Sequence, residues 1–192
     1  MTFSSPEVEE RFRQGFKYLN RFMVLMFRLG LGRWLQPWPR LTGQILVLVH
    51  QGRKTGLVRR TPLNFAVVDG DLYVLAGFGA VSDWYRNAKA DPQVEVWMPD
   101  GWWSAVAEEA SDHPERLRML RAVLVGSGFA AYAFGINPRI PDDRLAEISA
   151  AYRLVRLRRT AARSGPGGPG DLAWVWPLGV TLLLFRRSKR RR

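Results

Sequence analysis

The chain has 192 residues, 47% hydrophobic and 12% aromatic, with no cysteine, two histidines and a net charge of +12. That size fits one domain with appendages. The composition excludes disulfides, thiolate metal sites and a histidine-rich metal site, and with only His50 and His113 it argues against a Ser-His-Asp triad.

The charge is unevenly spread. Residues 153–192 hold 11 Lys/Arg against a single acid, Asp171, while residues 1–152 nearly balance. The body of the chain therefore lacks the broad basic face that a nucleic-acid binder needs. The N-terminus opens with Glu7, Glu9 and Glu10, and its apolar run 22–31 is broken by Arg28 and Gly30. Neither feature suits a secretory signal, so a cytosolic body is expected.

The first predicted helix starts at Ser5 as cap, with Pro6 and three glutamates at its positive end. Val8, Phe12, Phe16, Leu19, Met23 and Met26 recur at helical spacing, widened by Phe22, Phe27 and Leu29. This stripe is expected to pack on the domain rather than meet lipid. Gln44 to Val49 reads as a buried strand and Arg59 to Val68 as the next. Asp69-Gly70 signals a two-residue hairpin turn into a third strand, Leu72 to Ala76. Ser82 is placed to cap a short helix that Asp91-Pro92 ends. Val94 to Met98 and Trp102 to Glu108 form a second hairpin about the turn Pro99-Asp100-Gly101. Asp112 or Ser111 is expected to cap the next helix, with Leu117, Leu120, Leu124 and Val125 as its apolar face. A short helix, Asp142 to Ala150, and a last strand, Tyr152 to Leu157, follow.

Hairpin-linked strands imply an antiparallel sheet, and six of them suggest a small barrel with helices outside it. The organisation expected is an N-terminal amphipathic helical segment (1–38), a barrel domain (39–162), a Gly/Pro linker "RSGPGGPG" (163–170) and an apolar-basic tail (171–192).

Two stretches invite chemistry. "HQGRKTGLVRR" gathers Arg53, Lys54, Arg59 and Arg60 around a turn framed by Gly52 and Gly56. It reads either as a solvated basic turn or as an anion site, since glycines let backbone N–H groups approach an anion and arginine forks match phosphate oxygens. "AGFGAVSDWYRN" follows a strand with glycines and opens a helix, whose N-terminus also suits an anion. There Trp84 and Tyr85 either cover a planar ring or belong to the core.

Together "GRKTG", "R", "PLNF" and "AGFGAVSDWYRNAKADPQVEV" resemble the deazaflavin-dependent nitroreductase family over residues 42–110, and more loosely to residue 160. The resemblance implies an α+β fold, a split β-barrel related to flavin-mononucleotide-binding oxidoreductases. It also implies hydride transfer from a reduced 8-hydroxy-5-deazaflavin coenzyme (coenzyme F-420) to a hydrophobic acceptor, a quinone or a nitro compound. It implies that Arg53, Lys54, Thr55 and Arg59 hold the coenzyme's phosphate and acidic tail, and that Pro62 and Asn64 lie beside the deazaflavin. Ala76, Gly77 and Phe78 would form the loop over the ring, and Trp84 and Asn87 the segment that closes the pocket. The loop differs from the better-known members, which carry a longer, lysine-containing insertion between the positions of Gly77 and Trp84. Tyr132, in "GFAAYAFG" with Phe129 and Phe134, is either a proton donor to the reduced acceptor or a packing residue. No metal or nucleophile is required, because the cofactor carries the redox chemistry. The alternatives are the same barrel using FMN and a non-catalytic lipid or cofactor carrier.

The tail Leu172 to Phe185 is apolar, carries Trp174 and Trp176, and precedes "RRSKRRR". Fourteen residues interrupted by Pro177 are too few to span a bilayer, which needs about 20. Peripheral attachment to the inner membrane face is expected, against the alternative of a last element packed on the barrel. The sequence leaves the oligomeric state open, a homo-oligomer included.

Overall fold

The computed structural model describes residues 6–36, 43–133 and 135–181, with the side chains of residues 6–14 and 16 set aside. The expected cap Ser5, the stripe positions Val8, Phe12 and Phe16, Phe134 and the basic run 186–192 therefore lie outside the described side chains.

Six antiparallel strands close into a barrel in the order β1-β2-β3-β6-β5-β4. They are β1 (Ile45–Gln51), β2 (Val58–Val68), β3 (Asp71–Ala76), β4 (Gln93–Met98), β5 (Gly101–Glu109) and β6 (Arg153–Ala162). Flanking them are helices α1 (Pro6–Arg28), α2 (Asp83–Ala90), α3 (Arg116–Gly126), α4 (Phe129–Ala133) and α5 (Asp142–Ile148). The β2–β3 turn is the expected one: Asp69 and Gly70 both adopt positive φ, at 52° and 88°, which the twist of a tight hairpin demands.

Period-two alternation sorts each strand between two cores. Leu46, Leu48, Phe65, Leu72, Val74, Val96 and Leu157 fill the barrel interior, and Tyr85 and Ala88 of α2 pack against them. On the outside, Val47, Val49, Trp97 and Trp102 meet Phe27 of α1. Ala66, Val68 and Tyr73 meet Met119 and Val123 of α3.

Several local expectations are corrected. Leu19 and Phe22 do not pack on the barrel; they are about half exposed, and the packed side of α1 is Val24 and Phe27. Helix α3 starts at Arg116, later than a Ser111 or Asp112 cap would place it. Ser111 is unavailable because its hydroxyl donates to Glu109 and accepts the Leu154 N–H at 2.9 Å. The buried face of α3 is Met119, Leu120, Val123 and Leu124, while Val125 is exposed. Ser82 stands at the N-cap of α2 but makes no capping bond, and its hydroxyl is buried without a partner.

Residues 163–170 form no helix or strand, yet they are held in place. Arg163 N–H donates to Trp102 O at 2.8 Å. Gly168 lies flat on the Trp102 ring, so close that a Cβ there would stand 2.3 Å from the ring carbons. Beyond it Asp171 accepts a fork of hydrogen bonds from Arg28 at 2.8–3.1 Å. Residues 175–181 are helical. Among the described residues no helix is long and apolar enough to cross a membrane.

Candidate functional site

The β1–β2 turn is tightly wound. Thr55 and Gly56 N–H both donate to Gly52 O, Gly52 N–H returns to Leu57 O at 2.9 Å, and Leu57 N–H reaches Thr55 Oγ1. Gly56 closes the turn at φ 66°, a conformation that favours glycine. Arg53 N–H donates to Asn87 Oδ1 at 3.1 Å. These five amides are thus satisfied inside the protein and are not available to an anion. The turn offers side chains instead.

Asn87, buried on α2, ties the turn to the barrel mouth. Its Oδ1 also accepts from Arg53 Nη1 at 2.9 Å, and its Nδ2 faces His50 Nδ1 at 3.3 Å. Since Nδ2 can only donate, His50 Nδ1 accepts, and His50 Nε2–H donates to Thr61 Oγ1 at 3.1 Å. His50 is 4% exposed. Burial pushes its pKa down; a backbone hydrogen bond with Gln51 opposes this, and the Arg59 charge adds to it. The imidazole is a neutral strut.

Arg53 also pairs with Asp83 at 2.9 Å, in the first turn of α2. Among the described residues Lys54, Arg59 and Arg60 make no ion pair. Lys54 and Arg59 are exposed at the mouth. Arg60 lies over the Trp97 ring at 5.1 Å and lines a cavity of about 400 Å³ under residues 163–167.

The loop before α2 is seated by Gly79, whose φ is 65° and whose missing Cβ would meet Ala151 O at 2.5 Å. Arg86 Nε bonds Ala80 O from the other side. Gly77 and Phe78 are exposed on this loop, and Trp84 is half-buried against the barrel core.

The implied residues fall into two groups. Arg53, Lys54, Thr55, Arg59, Trp84 and Asn87 gather around the mouth and α2, where the 77–82 loop leads. Pro62 and Asn64 sit on the outer face of β2, opposite Val47 and Ile45 of β1. Asn64 donates to Gln44 O at 3.3 Å and lies beside Gly43, as does Ser127 O at the end of α3. Tyr132 is about half exposed on α4, which begins at Phe129 just after that end. From Arg59 to Asn64 the strand runs about 17 Å. Ala76 belongs to neither group; its methyl is buried in the barrel interior, whereas Gly77 and Phe78 are exposed.

Sequence reasoning missed the Asn87–His50–Thr61 bridge and a second one on α2. Tyr85 OH donates to Glu109, which also receives Ser111. Burial first, then the Glu109 hydrogen bond and charge, push the Tyr85 phenol up to about 12. The only hint in the sequence was the clustering of polar residues on a short helix with an otherwise apolar face.

Among solved structures, one similar fold is a conserved hypothetical protein of Mycobacterium tuberculosis, at 22% identity, covering 63% of this chain and 74% of that one with a TM-score of 0.44. An F420-H2 dependent reductase (FDR-A) is similar at 22% identity over 60% of this chain and 94% of that one, with a TM-score of 0.43. The heme storage protein HutZ of Vibrio cholerae is similar at 14% identity over 72% and 94%, with a TM-score of 0.46. Residues 20–142, more than half of the chain, match the model of the F420H(2)-dependent quinone reductase family. That match spans the cationic turn, β2, the loop and α2 as well as Tyr132, and by it the chain belongs to the F420H(2)-dependent quinone reductase family and is a deazaflavin-dependent oxidoreductase.

Proposed function

We propose that the protein passes reducing equivalents from reduced deazaflavin coenzyme to a quinone, and that the coenzyme's anionic tail binds at the barrel mouth. The observation that carries this is the pair Lys54 and Arg59. They are exposed cations without an ion pair among the described residues, Lys54 on the turn and Arg59 at the start of β2, and the turn's position is set through Arg53 and Asn87. The donor set suits the group: an anion needs unpaired cations, and a planar ring needs the exposed Phe78 and half-buried Trp84 nearby. When bound, the reduced deazaflavin supplies the hydride.

The chain's own residues do the rest. Lys54 and Arg59 hold the tail, with Thr55 between them. Arg53 is committed to Asp83 and Asn87, so it positions the turn and adds charge at longer range. Gly77, Phe78 and Trp84 shield one face of the ring. Pro62 and Asn64 lie farther along β2, beside the reacting end of the coenzyme in this reading, and Tyr132 gives a proton to the reduced quinone. The membrane-facing part of the reading is that the apolar-basic C-terminal tail meets an anionic leaflet, in which a hydrophobic quinone dissolves.

Titration with oxidised deazaflavin coenzyme, with FMN as control, tests the site. Lys54→Ala should weaken coenzyme binding by about tenfold or more, as expected for one charge-assisted contact, with the fold unchanged. Unaltered affinity in the Lys54→Ala and Arg59→Ala proteins would remove the mouth as the tail site. Tight coenzyme binding with no turnover of any quinone would favour a carrier.

A further inference from the structure

Helix α1 is apolar on two sides. Val24 and Phe27 pack on Val47, Val49, Trp97 and Trp102. The other side shows solvent Tyr18, Phe22 and Leu25, at 69%, 51% and 44% exposure. Positions 18, 22, 25 and 29 follow helical spacing and form one stripe.

The C-terminal segment docks where that stripe ends. Gly170 N–H donates to Phe27 O and Leu172 N–H to Arg28 O, both at 2.9 Å. Trp176 Nε1 donates to Leu29 O at 3.0 Å, and the Arg28–Asp171 fork clamps the two segments. Past the clamp, Trp174, Trp176, Leu178 and Val180 are each about half exposed. The stripe of α1 and the tail's apolar side chains are therefore joined rather than separate.

Exposed apolar residues in such number mark a contact surface. Their chemistry selects its partner. Trp and Tyr favour the boundary between headgroups and acyl chains. Lys17, Arg21 and Arg33 are exposed on or just after α1, and the sequence ends with six basic residues in seven. An apolar face bordered by cations fits an anionic bilayer.

We propose that the outer stripe of α1 and the C-terminal segment form a single lipid-docking platform, with the Arg28–Asp171 pair as its clamp. This rests on the membrane reading above and adds two things to it. The N-terminal helix shares the binding, and the barrel is held at a fixed attitude to the bilayer instead of swinging on a tether.

The test is flotation of the full chain with vesicles of phosphatidylcholine, with and without phosphatidylglycerol, at low and high salt. The full chain should float with the anionic vesicles and less so at high salt. Phe22→Ser/Leu25→Ser and Trp174→Ser/Trp176→Ser should each lower the lipid partition coefficient by about tenfold or more, with unchanged circular-dichroism melting. Tyr18→Ser repeats the test at the most exposed stripe position, far from the packed side. Arg28→Gln, which leaves every exposed apolar residue in place, should also reduce partitioning. If the tryptophan pair matters and the α1 variants float like the parent, the platform is wrong while the tail reading stands. If the parent does not float, the membrane reading itself fails. If the parent instead dimerises through a contact that Phe22→Ser/Leu25→Ser abolishes, the face is an interface between copies and the proposal is overturned.

Discussion

Replacing Asn87 with alanine should loosen the coenzyme turn from the barrel mouth. The side chain makes three contacts: it accepts from Arg53 N–H at 3.1 Å and from Arg53 Nη1 at 2.9 Å, and it donates to His50 Nδ1 at 3.3 Å. The guanidinium contact is charge-assisted, but Arg53 keeps Asp83 in the variant, so part of its value survives. The other two are ordinary bonds, and the His50 contact is long. Losing them and leaving the buried His50 nitrogen without a partner should cost about 2–4 kcal/mol. For a chain of this size that is a fall in melting temperature of about 5–15 °C.

Asn87→Asp separates the contributions. It keeps both acceptor contacts to Arg53 and strengthens the one to the guanidinium. It loses the donor to His50, but the imidazole has an answer: the ring proton moves to Nδ1 and points at the carboxylate, while Nε2 accepts from the Thr61 hydroxyl. Asn87→Asp should therefore lose at most about 1 kcal/mol near neutral pH, and the new carboxylate should lift the depressed His50 pKa. Chemical denaturation of the three proteins, with coenzyme titration and NMR of the two histidines, reads this directly. If alanine and aspartate destabilise equally, or if alanine leaves stability unchanged, Asn87 does not hold the mouth together.

Other outcomes follow from the same geometry. Tyr85→Phe should cost about 1–2 kcal/mol through the lost hydroxyl to Glu109. Because the folded phenol is raised to about 12 from an ordinary 10, its stabilisation is whole below pH 10 and fades as pH rises to 12. Denaturation at pH 9 and 11.5 should show a decline in the parent that Tyr85→Phe reduces. Gly168→Ala places a methyl against the Trp102 ring, which is 8% exposed and donates to Glu95 at 2.9 Å, so the ring has little room to yield. About 1–3 kcal/mol of stability should be lost and residues 163–170 should become a protease site, and an unchanged digestion pattern would count against the packed strap.

The barrel was legible because its strands announce themselves locally. Asp69-Gly70 specifies its turn whatever surrounds it, and Val94 to Met98 alternates between two cores. Features decided by distant partners were not legible. The last strand continues to Ala162 because β5 pairs with it out to Trp103, although Arg158 and Arg159 look like a polar exit from the sheet. The Gly/Pro stretch correctly forecast a segment without helix or strand. It carried no sign that Gly168 rests on Trp102, a residue far away in sequence. At the site, glycines 52 and 56 marked a tight turn, but periodicity cannot say that the turn spends its amides on itself, or that Asn87 on a later helix reaches back to it. The α1 stripe looked like a packing face because apolar spacing is the same whether or not the protein covers it.

The Arg28–Asp171 clamp also bears on how the chain is made. Its two halves are 143 residues apart, so helix α1 leaves the ribosome long before Asp171, which clamps it. Its inner partners end with Trp102, and its clamp waits for Asp171. At about 5–20 residues per second, the clamp stays open for about 7–30 seconds, from the completion of α1 to the arrival of Asp171. A nascent chain stalled between Trp102 and residue 171 should then hold α1 by its inner face alone and yield it to protease faster than the finished chain with its clamp closed, while the outer stripe is exposed in both.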